Sequence, residues 1–355
     1  MKKKFFAIFI TIIILSTTLL SGCSSAVVLS FNNNFYNAQS SPSVNYKEQA
    51  VYKVEHDLTN YHKKDSAIQD EKLPEFSNGT FKTTLEVLTG KPDNLQVDSE
   101  IFSELQIEGG PKLYSYTTEF SINVSWKDKE GQPHTDVDTD EKTIYFLSNG
   151  SSFAPIYTAT KNNYTRFFYN NGEIELTDKV FFEGQTIYSK TKFTTISKVK
   201  LDDGEWQQKS NTADYTYKTV IDNAQLLFAI RNIDIQQEQA IQIPVVSYQY
   251  AEAKNLIFAN NGENKIEDIS INYNNIDSTN TYTEITVAQY SFGINSINAA
   301  GAKQILYVQK AQENAGQNAL PYKSLLYRYV APVIEYGAFS SLGSLVYTLE
   351  SVTIS

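Results

Sequence analysis

The sequence feature that most constrains the fold is an alternation of apolar and polar residues between Leu113 and Trp126. Phe120, Ile122, Val124 and Trp126 recur at every second position, so their side chains point to one side of an extended chain. A helix would scatter the same residues around its axis, because its period is 3.6 residues. The stretch therefore predicts a long β-strand with one buried face.

Shorter segments with the same period recur along most of the chain, and the composition agrees with them. The 355 residues include 24 Tyr and 20 Phe, and aromatic residues are enriched in strands because they pack well on a pleated surface. Asn170-Asn171-Gly172 separates two such segments, and Asn-Gly supplies the positive φ angles of a tight hairpin turn. We therefore expect an antiparallel sheet that contains hairpins.

Two stretches depart from the strand pattern and predict short helices. The first runs from Ser99 to Leu105. The second runs from Asp222 to Arg231, where apolar residues recur at helical spacing and Asp222 or Asn223 can cap the first turn. A mainly β fold with one or two short helices is the expectation from these patterns.

The second half of the chain has an order of segments that resembles a known fold. Strands lead to the helix at Asp222 to Arg231, a meander follows, Ala300-Gly301 precedes Ile305-Leu306-Tyr307, and Ser341 to Tyr347 enters a last strand. Over residues 140 to 355 this order resembles an exported bacterial domain family of unknown function, related to the lipoprotein-carrier (LolA/LppX-like) half-barrels. The resemblance implies a mainly β fold class with curved antiparallel sheets and short helices packed against them. The concave side would either shield an apolar ligand or be filled by side chains, and no catalytic residues are implied.

A targeting signal occupies the first 22 residues. Three lysines, Lys2 to Lys4, precede an apolar run that ends at Leu20-Ser21-Gly22-Cys23. Charge, length and order are those of a secretory signal, and the apolar run is too short for a good spanning helix. Its end resembles the lipobox of bacterial lipoproteins, where small residues admit a peptidase and the cysteine receives a diacylglyceryl group. The resemblance implies cleavage before Cys23 and a lipoprotein held at the cell membrane by acyl chains such as palmitate. The alternatives are an uncleaved anchor and a plain secretory signal.

The rest of the chain divides into a tether and a domain. Residues 23–45 carry Cys23 and a stretch rich in Ser and Asn, which predicts a flexible tether. Residues 46–355 form the expected β-rich extracytoplasmic domain, and a subdivision near residue 215 stays open. Cys23 is the only cysteine, so no disulfide can form within the chain. A domain of this size can build its core without one.

The charge balance limits the partners. The chain has 40 acidic and 30 basic residues, a formal net charge of −10. An acidic surface argues against nucleic acid and against adhesion to anionic lipid, so membrane contact is expected through the acyl chains. Basic residues are nearly all lysine, and Asn, Ile and Tyr are abundant. This usage suggests an AT-rich genome and, with the lipobox, a Gram-positive host.

An acidic segment is the only candidate metal site that the sequence offers. Asp136, Asp138 and Asp140 have the D-x-D-x-D rhythm of calcium loops. An EF-hand is excluded, because its sixth place holds Glu141 instead of Gly and its twelfth place holds Leu147 instead of Glu. A looser calcium site and a solvated hairpin tip remain, and the second is the expectation. The three histidines lack the spacing of a zinc site, so no metal or other cofactor is predicted.

The candidate ligand-binding residues are aromatic. Trp126 and Trp206 both lie near strand ends, where they could stack on a sugar or cover the edge of the core. Nucleophile motifs such as Gly-x-Ser-x-Gly are missing from the sequence, and acid pairs cannot be chosen without spatial information. The sequence favours a non-enzymatic binding or envelope protein, and the sharper version of this hypothesis is an apolar or lipid ligand in the curved sheet. The alternatives are a glycan-active hydrolase and a carbohydrate-binding surface protein, and the oligomeric state stays open.

Overall fold

A computed structural model describes residues 46–63, 73–93, 95–148, 153–217, 220–231, 240–248, 252–273, 279–294, 304–309, 325–334 and 339–355. Within these residues fifteen strands pair into one sheet, and two short α-helices pack against it. The predicted fold class, mainly β with a curved antiparallel sheet and short helices, is confirmed. The predicted signal peptide, Cys23 and the predicted tether lie outside the described residues, and the subdivision near residue 215 stays a prediction.

The elements follow one another in a long meander. The helices are α1 (Ser99–Leu105) and α2 (Leu226–Ile230), and a 3-10 turn at Asn223–Gln225 leads into α2. The strands are β1 (Lys47–Lys63), β2 (Glu75–Leu88), β3 (Lys112–Lys127), β4 (Pro133–Ser148), β5 (Phe153–Asn170), β6 (Glu173–Tyr188), β7 (Lys192–Leu201), β8 (Gln207–Asp214), β9 (Ile221–Asp222), β10 (Ala240–Val246), β11 (Lys254–Tyr273), β12 (Thr279–Ile294), β13 (Gln304–Gln309), β14 (Leu325–Ile334) and β15 (Phe339–Ile354).

The order of strands places β1 at the middle of the sheet. From one edge the order runs β8 to β1, and it continues with β15 down to β9 at the other edge. Neighbours are antiparallel except for β9 and β10. In addition, Asn272 and Tyr273 of β11 pair in parallel with Ser351 and Val352 of β15. Because of this second pairing, β11 to β15 form a closed ring of strands, which explains the curvature of this half.

Local sequence signals place the turn and the first helix where they were predicted. Asn171 and Gly172 have φ angles of 51° and 82°, and they connect β5 to β6 as a tight hairpin. The side chain of Asp98 caps α1 by accepting the backbone N–H groups of Glu100 and Ile101. Both predictions, the hairpin and the helix at residues 99–105, are confirmed.

The prediction of a polar loop and hairpin tip around Asp136–Asp140 is wrong. These residues belong to β4, and the turn lies earlier, at residues 128–131. The ladder between β3 and β4 runs without interruption from the pair Lys112–Ser148 to the pair Lys127–Pro133. Backbone hydrogen bonds of this ladder do not depend on side-chain polarity, so an acidic segment can continue a strand when its carboxylates find partners.

Candidate functional site

The inner side of the curved sheet is filled by side chains around α2. Phe228 of α2 is fully buried, and its ring centroid lies 5.5 Å from Tyr116, 5.5 Å from Phe146 and 5.2 Å from Phe153. The edge-on ring of Phe153 and the tilted rings of Tyr116 and Phe146 are favourable aromatic arrangements. Side chains therefore fill the space between α2 and the sheet around Phe228.

A buried ion pair ties the end of α2 to the central strand. The guanidinium of Arg231 donates to both oxygens of Glu48, with distances of 2.6 Å and 3.1 Å. The two side chains are only 5 % and 3 % exposed, and the hydroxyl of Tyr46 donates to the same carboxylate. Burial works against the charged guanidinium, but the carboxylate of Glu48 outweighs it and raises the pKa of Arg231. Both carboxylate oxygens of Glu48 accept hydrogen bonds within the protein. The pair therefore has a structural role, because it joins the end of α2 to β1.

A second buried carboxylate begins the helical segment. Asp222 accepts the backbone N–H of Ala224 at 2.8 Å, as its predicted capping role requires. The hydroxyl of Tyr188 on β6 donates to the other oxygen of Asp222 at 2.5 Å. Burial raises the pKa of Asp222 and that of Tyr188. The contact joins β9, at one edge of the sheet, to β6 near the other edge.

The raised pKa of Asp222 predicts a dependence of stability on pH. The folded protein binds this proton more tightly than the unfolded chain, so its contribution to stability grows as the pH falls from neutral through the folded pKa. The contribution is complete below the ordinary value of 3.8 and is lost as the pH rises. We expect wild type to gain stability on acidification relative to Asp222→Asn, as measured by urea unfolding between about pH 4 and pH 7.

The control for this measurement is Asp214→Asn, because the side chain of Asp214 is 86 % exposed. Its unfolding curve is expected to run parallel to that of wild type over the same range of pH. Parallel curves for wild type and Asp222→Asn would contradict the prediction.

The acidic residues of β4 have lysine partners. The ammonium of Lys179 lies 3.0 Å from Asp136 and 3.2 Å from Asp138, and Asp138 also accepts the N–H and the hydroxyl of Thr165 at 2.9 Å each. Asp140 forms an ion pair with Lys142. Burial raises the pKa of Asp138. No group of three His, Cys, Asp or Glu side chains that could hold a metal occurs in the part of the chain that the structure describes. Calcium binding at this strand stays a prediction.

The described histidines take part in packing contacts. Nε2 of His56 lies 2.7 Å from the carbonyl oxygen of Leu342, its ring meets Phe76 edge-on, and burial lowers its pKa. His134 stacks on Trp126 and lies 2.8 Å from a carboxylate oxygen of Asp128. The side chain of His62 lies outside the described residues.

The two tryptophans predicted as ligand-binding candidates differ in environment. Trp126 packs edge-on against the buried Phe167 and is covered by His134, so it closes the edge of the core. Trp206 is 42 % exposed in the turn between β7 and β8. The ammonium of Lys200 lies 5.6 Å from the ring centroid of Trp206. Of the two tryptophans, Trp206 is therefore the more accessible to a ligand.

A surface groove that sequence reasoning missed lies beside α1. It has a volume of about 590 Å³. It lies between the segment before α1 on one side and the end of β6, the start of β7 and the end of β8 on the other. Its lining combines apolar side chains with hydroxyls and two lysines. No sequence pattern could have found it, because its walls come from segments about 90 residues apart in the chain. We call this feature the α1 groove; the residues used below are Lys91, Leu95, Asp98, Ile187, Lys192, Thr194 and Thr212.

Comparisons with known proteins bear on the fold alone. No protein-family model matches the chain, and no curated protein matches it. Among solved structures, one match is the crystal structure of a "Beta-barrel-like Protein of Domain of Unknown Function DUF1849" from Brucella abortus. That structure is 12 % identical, the match covers 87 % of this chain and 98 % of that chain, and the TM-score is 0.42. A likeness at this level carries no argument about function. In the described part of this chain, no helix has the length and apolar character needed to span a membrane.

Proposed function

We propose that this protein is a lipoprotein anchored in the cell membrane, with a non-enzymatic binding role on the extracytoplasmic side. The observation that carries the proposal is the lipobox at Leu20-Ser21-Gly22-Cys23, which follows a lysine-rich start and an apolar run in the order that export requires. The tether then joins the domain at Tyr46, next to the first residue of β1. Because β1 is the central strand, the anchor would hold the sheet at its middle.

The use of the buried ionisable groups supports a binding role over catalysis. Glu48 and Arg231 neutralise each other, and Asp222 is held by Tyr188. Asp138 is held by Thr165 and Lys179. Each of these carboxylates stabilises a contact between distant segments, which is a structural role. A general acid or base must instead reach a proton of the substrate.

The filled region around Phe228 moves the proposed ligand surface away from the inner side of the sheet. Aromatic rings surround Phe228 at packing distance, so an apolar ligand would have to displace them. The α1 groove lies at the surface and is accessible without such a change.

A second candidate, a carbohydrate-binding surface protein, is favoured by Trp206 alone. Its ring is 42 % exposed, and Lys200 lies between it and Phe181, at 5.6 Å and 4.8 Å from the two ring centroids. An exposed aromatic ring beside a cation can stack on a sugar that carries an acidic group. Trp126 is less suited to this role, because it is half-buried and both Phe167 and His134 pack against it.

Replacement of Cys23 tests the anchor. Without the thiol no diacylglyceryl group can attach, so Cys23→Ala is expected to lose acylation completely. The variant should either keep its signal peptide or leave the membrane fraction. Mass spectrometry of the N-terminal peptide and cell fractionation measure these outcomes. Ser25→Ala, two residues away, is the matched control and should be acylated like wild type. Acylated, membrane-bound Cys23→Ala would overturn the proposal.

A further inference from the structure

We propose that the α1 groove binds a small amphipathic anion, a molecule with an apolar chain and one phosphate or carboxylate head group. The inference deepens the proposed function and rests on it for the location of the site outside the cytoplasm. The binding itself rests on the geometry of the groove.

The groove lies at the same end of the strands as the start of β1, where the tether connects. Antiparallel neighbours alternate in direction. The end of β6, the start of β7 and the end of β8 therefore lie at the same end of the sheet as the start of β1. If the anchor holds the protein by the start of β1, this end of the sheet faces the membrane. An amphiphile that leaves the membrane surface would then meet the groove first.

The floor of the groove is formed by one row of residues across three strands. Ile187 on β6 is opposite Thr194 on β7, and Thr194 is opposite Thr212 on β8. Leu95 from the segment before α1 completes the apolar surface and is itself only 4 % exposed. The hydroxyls of Thr194 and Thr212 lie 2.9 Å apart, so each can accept or donate one more hydrogen bond. The floor therefore suits an alkyl chain that ends in a hydrogen-bonding group.

The charged residues in the lining of the groove are two lysines and one aspartate. Lys91 donates one hydrogen bond to the carbonyl oxygen of Leu95 at 2.9 Å, and its ammonium has two further N–H groups. Lys192 is 60 % exposed, and its nearest carboxylate, on the exposed Asp214, is 3.9 Å away. The single carboxylate in the lining, Asp98, already accepts two backbone N–H groups of α1. Asp214 lies outside the lining and is 86 % exposed, so within the lining two ammonium groups face one carboxylate that already accepts hydrogen bonds, which favours an anionic head group.

The size of the groove fits a small ligand. A volume of about 590 Å³ lies within the range of roughly 300–1,000 Å³ found for small-molecule sites. Because the protein carries a net charge of −10, a local pair of lysines also separates this groove from the rest of an acidic surface. The two lysines of the lining would attract an anionic head group at short range, within a protein that is acidic as a whole.

The test uses the full acylated protein in phosphatidylcholine nanodiscs and isothermal titration with octyl phosphate, with empty discs as the blank. Inorganic phosphate presents the head group alone, and octan-1-ol presents the chain alone. We expect octyl phosphate to saturate one site per chain. Both comparators should bind at least roughly tenfold more weakly, because each uses only half of the groove.

The variant Lys91→Gln/Lys192→Gln removes both lysine charges of the lining and is expected to weaken octyl phosphate binding roughly tenfold. Lys198→Gln is the matched control, since Lys198 lies on β7 outside the groove lining, and it should bind like wild type. Unchanged binding by the double variant, or equal binding of inorganic phosphate or octan-1-ol, would overturn the proposal. If Cys23 is still acylated, such a result overturns the groove proposal and leaves the proposed anchor unaffected. If wild type is not acylated, only the proposed anchor is overturned.

Adding phosphatidylglycerol to the discs separates the two sources of such a ligand. Weaker binding of octyl phosphate would identify bilayer lipid as a competitor for the groove, and unchanged binding would identify a free amphiphile as the ligand. In both cases the dependence on Lys91 and Lys192 must hold.

Discussion

Replacing Arg231 with Met is expected to lower the free energy of unfolding by about 3–5 kcal/mol. The reason is the position of Glu48, whose side chain is 3 % exposed and would lose the cation that compensates its burial. Both side chains of the pair are almost fully buried, at 5 % and 3 % exposure, so bulk water does not solvate the carboxylate in the folded protein. The loss comes from an unpaired buried carboxylate and exceeds the net value of the ion pair itself.

Urea unfolding of Arg231→Met, Glu48→Gln and the double variant measures this effect. The double variant should recover much of the loss, because it leaves no buried charge. Lys53→Met is the control, since Lys53 and Glu55 form an ion pair with side chains 55 % and 59 % exposed, and its unfolding midpoint should match wild type. A loss for Arg231→Met no larger than that of the control would contradict the prediction.

The features that sequence reasoning predicted correctly depend on residues close together in the chain. The turn at Asn171-Gly172 needs only two positive φ angles, and the cap of α1 needs only Asp98 and the next three residues. Asp222 was expected as a helix cap for the same reason and accepts the N–H of Ala224. In each case the physical cause lies within one turn of backbone.

The features that sequence reasoning missed depend on partners that are far apart along the chain. Glu48 and Arg231 are 183 residues apart, and Tyr188 is 34 residues from Asp222. Arg231 was predicted only as the last residue of a helix, and nothing in the sequence indicates its carboxylate partner. The prediction of a loop at residues 136–140 failed for the same reason. The lysine that stabilises Asp138 comes from another strand, β6. Pairing across a sheet cannot be deduced from the polarity of one strand.

The candidate sites show a similar division. The lipobox is local, so the sequence predicts it and no described residue tests it. Trp126 and Trp206 have the same sequence environment, beside turns at strand ends, but their neighbours differ. Phe167 covers Trp126, whereas no described contact covers the whole ring of Trp206, which is 42 % exposed. The α1 groove has no local signature, since it exists only when the segment before α1 lies against β6 to β8.

Replacing Phe228 with Ala is also expected to cost about 3–5 kcal/mol of stability. The ring is fully buried among Tyr116, Phe146 and Phe153, and its removal would leave an apolar cavity that these neighbours can close only in part. Phe168→Ala is the matched control, because Phe168 is 39 % exposed on β5, and it should cost far less. Urea unfolding of both variants measures the difference.

The same variant tests which side of the sheet receives a ligand. If the rings around Phe228 are packed as densely as a protein core, Phe228→Ala should bind benzene in the new cavity and regain part of its thermal stability, whereas wild type should show no such gain. A loss below about 1 kcal/mol, together with a gain for wild type, would mean that the inner side has room for an apolar molecule. The concave side would then compete with the α1 groove as the ligand site. A large loss and a response confined to Phe228→Ala would leave the groove as the accessible surface.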